Sequence, residues 1–338
     1  MTSDQWAATH RNDLAWVAAL VGDWHAPGSP LYQLFTARIA QDPDMLRLVA
    51  DIENVPPLNL LFGGVQLLLT PADALAAWYP RYGGHAEPSD QAYEAFRSFA
   101  LERCDELVRI GSTRRTQTNE VGRAAVLLPF IVEQLTGIDE PVHGVDVGAS
   151  AGLNLCLDRF AYDYSGVRVG SSALTLACEN RGGFPVPDAV PTFASRTGLD
   201  LDPVDPADPD AVAWLEALVW PEHNGRLERL RAAIDIRQHT PVTMVAGDAV
   251  QTLPAVEANL GEGALLLWHT VALYQMTAQQ NADFDEVVAE IASRRPVIRI
   301  SYELPATSSY PEVRIGLRPG REASIAVGHP HGAWIDRP

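Results

Sequence analysis

Hydrophobic spacing divides the chain into a helical part and a part in which strands and helices alternate. Leu14, Val17, Ala18 and Val21 fall on one face of a helix. Ser29 before Pro30, and Asp42 before Pro43, each set a capping side chain ahead of a proline at the first helical position. Tyr93, Phe96, Ala100, Cys104, Leu107 and Val108 predict one longer amphipathic helix after Ser89. No strand alternation stands out before residue 136. A polar run over residues 114–123 then leads into an apolar helix over 124–135.

From Val142 the period changes. Residues 142–147, 196–202, 242–248, 264–269 and 296–302 read as strands, the fourth almost wholly apolar as expected at a sheet centre. Helical segments at 153–160, 210–220, 226–236, 249–260 and 283–293 lie between them. This alternation predicts a doubly wound parallel sheet. Residues 312–317 and 323–327, joined by Arg318, Pro319 and Gly320, read as a closing antiparallel hairpin. Two domains follow, a helical one over residues 1–136 and an α/β one over 137–338, with a Gly/Pro-rich insertion at about 161–195.

The centre of this plan is the turn Gly148, Ala149, Ser150, Ala151, Gly152, between the first strand and Leu153, Leu155, Leu157 and Phe160. A strand, a turn of small residues and a helix place backbone N–H groups at a helix N-terminus, a seat for a carboxylate or phosphate. Asp146 points an acid at the same crevice. A dinucleotide fingerprint G-x-G-x-x-G would put glycine where Ser150 and Leu153 stand. A nucleophile elbow G-x-S-x-G is matched literally, with Ser150 as nucleophile and Asp248 and His269 or His329 following in triad order. An elbow normally follows several strands, however, and acyl chemistry leaves Asp146 without a task.

Composition narrows the chemistry further. Of 338 residues, 47% are hydrophobic and 20% charged; 25 basic against 43 acidic side chains give a net charge of −18. That charge repels phosphate backbones, so nucleic acid is not an expected partner. No lysine is present, which excludes a Walker phosphate loop and Schiff-base chemistry. Cys104, Cys156 and Cys178 are widely spaced and suit a reducing compartment. The opening residues show no basic region followed by an apolar run, and no stretch reaches membrane length. The expectation is a cytoplasmic protein acting on a small molecule or a protein, with no bound metal. His329 and His331, flanking Pro330, read as a terminal turn, and Trp214, Trp220 and Trp334 as packing residues.

Asp146, Gly148, Ser150 and Gly152 resemble the D/E-x-G-x-G-x-G loop of class I S-adenosylmethionine-dependent methyltransferases, with serine at the middle glycine. That resemblance implies a Rossmann-like doubly wound sheet whose last strand is reversed. It also implies a cofactor loop that includes Asn154, a ribose-binding acid after the second strand and an adenine-binding acid after the third. Asp200 or Asp202, then Asp248 beside Ala249, stand in that order, and Glu179 competes for the ribose role. At a finer level the stretches 117–123, 147–155, 198–205, 218–222 and 329–332 resemble the bacterial domain-of-unknown-function family 2332. That resemblance implies a methyltransferase-like fold without an established reaction. Arg115, Gln117, Asn119, Glu120 and Arg123 are a solvated helix cap on one reading and a clamp for a carboxylate-bearing acceptor on the other. For an acceptor that must lose a proton, His269 at the end of the fourth strand, then Glu303, then His329 are the candidate bases.

Overall fold

The computed structural model describes residues 12–24, 28–305, 307–316 and 324–338. The chain opening and the Arg318–Gly320 link lie outside the described residues. The chain forms two compact units: one ends at Thr118 and resumes over Pro209–Glu228, and the other comprises Asn119–Asp208 and Arg229–Pro338.

In the first unit the predicted caps form. Ser29 Oγ accepts the Tyr32 N–H at the start of α2 (Pro30–Ile39), which follows α1 (Leu14–Gly22). Asp42 accepts from Asp44 and Met45 at the start of α3 (Pro43–Asp51). The helices α4 (Pro57–Leu68), α5 (Asp90–Glu102) and α6 (Cys104–Thr113) follow. The single helix expected across 93–108 is therefore two. The break is at Arg103, with ψ at 24°, where the guanidinium lies over the Phe99 ring and bonds Asp73 instead of continuing an exposed helical face. Tyr32 stacks on Phe62 at 4.1 Å and Phe35 on Phe96 at 4.3 Å, which gives this unit an aromatic centre.

The second unit begins with α7 (Arg123–Leu135) and carries a nine-stranded mixed sheet. Its strands are β1 (Val142–Val147), β6 (Ser195–Asp200), β7 (Thr243–Ala246), β8 (Ala264–Thr270), β9 (Val297–Glu303), β10 (Glu312–Ile315), β11 (Ser324–Gly328), β12 (Trp334–Asp336) and the two-residue β5 (Glu179–Asn180). Their order is β5-β12-β11-β10-β9-β8-β1-β6-β7. The five strands β7, β6, β1, β8 and β9 are parallel, and β10, β11 and β12 return as an antiparallel meander. The 161–195 stretch is not structureless: β2 (Ala161–Tyr164), β3 (Val167–Val169) and β4 (Thr175–Ala177) form a small separate sheet there. The remaining helices are α8 (Pro209–Ala217), in the first unit, α9 (Asn224–Gln238), α10 (Ala249–Ala258) and α11 (Ala278–Ala292).

The sheet's chemistry follows from strand alternation. Val145, Val147, Leu265 and Leu267 pack with Leu253, Phe284, Val288 and Ile291 of α10 and α11. The opposite parity of β1 and β8 presents Gly144, Asp146, Leu266 and Trp268, and a Cβ on Gly144 would meet the Trp268 ring at 3.0 Å. β8 is buried along its whole length. Strand order reverses between β1 and β8, the place beyond the carboxyl ends where doubly wound sheets bind their ligands. Among the described residues no helix is long and apolar enough to cross a membrane.

Gln66 gives a test of the helical unit. It is 3% exposed, and its Nε2 donates toward Tyr32 Oη at 3.0 Å, Ala217 O at 2.9 Å and Val219 O at 2.7 Å. Gln66→Ala should lower stability to urea by about 1–3 kcal/mol without changing the denaturant slope, because two buried carbonyls lose their donor. A loss below about 0.5 kcal/mol would show that those carbonyls find other donors.

Candidate functional site

The turn after β1 is tightly constrained. Gly148 and Gly152 are left-handed, with φ of +77° and +71°, and Ser150 joins them at +51°. At Gly148 a Cβ would also meet the Ala272 methyl at 2.5 Å, so glycine is required by both backbone and space. The turn's own polar backbone is largely satisfied internally. Gly148 and Ala149 N–H donate to Leu199 O, and Gly152 N–H to Ala149 O. Ser150 N–H donates to Asp200 Oδ2 at 2.7 Å, and Leu153 N–H to Asn119 Oδ1 at 3.3 Å. The expected α-helix does not follow. Leu153–Arg159 is a 3₁₀ stretch that leaves helical geometry at Cys156 and runs on to β2. Leu153, Leu155 and Leu157 are spaced by two, which does not build the one-sided stripe an α-helix needs. Most of the N–H groups anticipated as a seat for a carboxylate or phosphate are thus already bonded within the protein.

What the turn offers is acceptors. Asp146 is 2% exposed, on the strand face shared with Trp268 and Gly198. Burial first, and the Asp200 carboxylate second, push its pKa well above the ordinary range; the Trp268 indole and the Arg123 guanidinium act in the opposite direction. Ser150 Oγ and Asn154 Oδ1 are buried without a hydrogen-bond partner among the described residues. Asp200 turns its second oxygen to the Asp202 N–H at 2.9 Å, and Asp202 itself is exposed. Asp248 caps α10 by accepting from Val250 N–H at 2.8 Å, with Ala249 buried as the first helical residue. Glu179 is no competitor for Asp200. It lies in β5 at the far edge of the sheet, paired with Trp334 and bridged to Arg181.

The polar run 114–123 is divided by the structure. Arg115 and Gln117 belong to the helical unit, where the Arg115 carbonyl accepts from the Trp214 indole at 2.9 Å. Asn119, Glu120 and Arg123 belong to the sheet unit. Asn119 staples the turn from both sides, donating to Ala149 O at 2.7 Å while accepting from Leu153. Glu120 is 5% exposed, accepts from the Gly122 N–H at 3.1 Å, and lies 3.7 Å from Arg229 and 3.6 Å from His331. Arg123 donates to Thr270 O at 2.9 Å and to Pro330 O at 3.0 Å, which holds its guanidinium near Asp146.

Two of the three candidate bases, His269 and Glu303, share the strand parity opposite to that of Asp146. His269 is 1% exposed on the α10/α11 face, opposite in parity to Asp146. Its Nδ1 bonds Glu303 Oε1 at 2.8 Å and its Nε2 accepts from Arg299 Nε at 3.2 Å, so neither nitrogen is open to an acceptor. Burial lowers its pKa, which keeps the ring neutral. Glu303 also accepts from the Ala272 N–H at 3.1 Å and the Leu273 N–H at 3.3 Å. His329 accepts the His331 N–H at 3.1 Å inside the terminal turn. Sequence reasoning missed Arg299 and Asp285, which bond each other at 2.6 Å behind His269. The signal was present: a cation in the apolar strand Val297–Glu303 must find a buried anion.

The raised pKa of Asp146 makes a prediction with a definite sign. The unfolded chain ionises this carboxyl near pH 4, whereas the folded chain resists ionisation to higher pH. The favourable contribution is therefore complete below the unfolded pKa and is lost as pH rises through the folded one. Asp146→Asn should raise stability at neutral pH, and its advantage should shrink as pH falls toward about 4. Urea unfolding of both proteins across that range checks this; a variant less stable at every pH would show that the carboxyl is held by stronger partners.

No curated protein matches the chain. A family model described as an uncharacterized protein conserved in bacteria, DUF2332, matches residues 17–337, and the chain belongs to that family.

Proposed function

We propose that the protein binds S-adenosylmethionine at the turn after β1 and transfers its methyl group to a small-molecule acceptor. The observation that carries this reading is the set of acceptors left around a turn whose N–H groups are mostly bonded internally. Asp146, Ser150 Oγ and Asn154 Oδ1 gather at the point where strand order reverses, with Asp200 and Asp248 at the ends of the neighbouring strands. The donor groups of S-adenosylmethionine are its ammonium, its ribose hydroxyls and its adenine amino group, so the residues present suit it. Asp146 would meet the ammonium, Asp200 the ribose and Asp248 the adenine. Dinucleotides and other phosphate ligands need N–H donors, which this turn has largely used.

Strand order supports the same reading. The parallel order β7-β6-β1-β8-β9 is a doubly wound one, and β10 runs reversed beside β9, as the methyltransferase resemblance implies for a closing strand. The departure lies beyond it: the class I sheet ends near its reversed strand, whereas β11, β12 and β5 extend this one.

When bound, the cofactor supplies an electrophilic methyl group on a sulfonium sulfur. The chain's contribution is then orientation and exclusion of water, from a crevice whose walls are fixed by Asn119, Arg123 and Glu303. Arg123, close enough to Asp146 for its charge to act on that carboxyl, and Glu120, three residues before it, are the proposed acceptor-side groups. Arg123 offers its charge to an anionic acceptor.

Ser150 separates this reading from a hydrolase. No base bonds its Oγ. Asp248 caps a helix, His269 is held by Glu303 and Arg299, and His329 accepts from His331. Thermal unfolding with S-adenosylmethionine, its demethylated product and NAD is the test. Either sulfur nucleoside at about 100 times its dissociation constant should add roughly 2.7 kcal/mol, and NAD nothing. Ser150→Ala should keep the shift. Asp146→Asn should weaken binding by about tenfold or more, through loss of a charged hydrogen bond, while the fold itself gains stability. No shift with either nucleoside, together with ester turnover that Ser150→Ala abolishes, would turn the assignment to a serine hydrolase.

A further inference from the structure

On the α10/α11 face of the sheet a row of charged and polar side chains crosses the apolar packing. Asp285 of α11 accepts from Arg299 at 2.6 Å, Arg299 donates to His269 at 3.2 Å, and His269 bonds Glu303 at 2.8 Å. Arg299 and His269 are 2% and 1% exposed, and Phe284 lies beside both, 5.0 Å from the guanidinium and 6.2 Å from the imidazole. Glu303 then accepts the Ala272 and Leu273 N–H groups. The residue before them, Val271, is left-handed at φ +50°, a conformation that a β-branched side chain rarely adopts. Such a backbone persists only where its surroundings over-determine it. Ala272, next in the chain, is the residue whose methyl leaves no room for a Cβ at Gly148.

We propose that His269 is a positioning residue: with Asp285, Arg299 and Glu303 it forms a buried chain that holds the turn after β8 in shape, and thereby holds Ala272 against Gly148 at the mouth of the crevice. The direction of the chain is fixed by chemistry. An arginine Nε only donates, so His269 Nε2 must accept and Nδ1 must carry the proton. That proton goes to Glu303, whose carboxylate accepts from His269, Ala272 and Leu273 together. Each member is therefore needed to orient the next, and the reacting groups of a ligand need touch none of them.

The shape of the turn is tested without any ligand. Amide exchange at Ala272 and Leu273 is compared with exchange at Leu266 and Leu267 in the core of β8, which reports global opening. His269→Leu and Glu303→Gln should speed the turn amides by about tenfold or more beyond any change at the core amides, the loss expected for a hydrogen bond to a charged group. His269→Gln can accept from Arg299 and donate to Glu303 with one amide, and should stay close to the parent. If His269→Leu does not fold, Asp285→Asn, at the outer end of the chain, should give the same pattern more weakly. The imidazole nitrogen shifts should show the Nδ1-protonated tautomer. An Nε2-protonated ring, equal changes at turn and core amides, or His269→Gln as damaging as the leucine variant would overturn the proposal. The link from this turn to cofactor affinity rests on the S-adenosylmethionine reading. On that reading the leucine variant also binds S-adenosylmethionine about tenfold more weakly. A parent protein that binds none would sink the cofactor reading, and the exchange result would still decide the positioning role.

Discussion

A buried turn must bond its own backbone, and the turn at Gly148–Gly152 does so almost entirely within its unit. Leu199 O takes two N–H groups, Asp200 one, Ala149 O one and Asn119 one. Three neighbouring segments are thereby committed to the turn: the end of β6, the start of the second unit at Asn119, and the loop after β8 that Gly148 admits. The same constraint explains the small residues on both sides. A Cβ on Gly198 would meet Met244 Sδ at 2.6 Å and the Ala149 methyl at 2.8 Å, so β6 can approach the turn only with glycine there. Ligand preference follows from what is left over, which is oxygen acceptors on short side chains.

Much of this arrangement was legible in the sequence. Alternation in β1, the apolar run of β8 and the acids at Asp146, Asp200 and Asp248 located the sheet and the ends that face the crevice. The caps at Ser29 and Asp42 were legible because an N-cap is a local contract between neighbours in sequence. What was not legible is long-range. The spacing of Leu153, Leu155 and Leu157 argues against an α-helix, but nothing local announces the short 3₁₀ stretch leading to β2, because residues 153–157 are all buried and show no one-sided pattern. His269 read as a strand-end base because its partners lie 30 and 34 residues away, and only packing joins them. The break at Arg103 likewise depends on Asp73, outside any local window.

The cations deserve separate thought because all of them are arginine. Arginine keeps its charge throughout the range in which proteins are stable, so a buried arginine cannot relieve an unfavourable site by losing a proton. Arg196 is paired with Asp158 with both side chains almost fully covered, and Arg299 with Asp285. Any adjustment of charge in the sheet unit must therefore come from its carboxyls and histidines. This is why Asp146, with a positive neighbour yet a raised pKa, is informative: burial and a second carboxylate outweigh the guanidinium.

The far edge of the sheet has a consequence for how the molecule comes to be made. β5 contributes two residues from the 161–195 stretch, and they pair with β12, more than 150 residues later, Glu179 opposite Trp334. Closing a loop of that length costs conformational entropy that only the assembled sheet can return. During synthesis the parallel core can form as soon as β9 has emerged, but this edge waits for β12, which follows β9, β10 and β11 in the chain. Until then β11 presents an open backbone edge, the state in which a sheet most readily recruits a foreign strand.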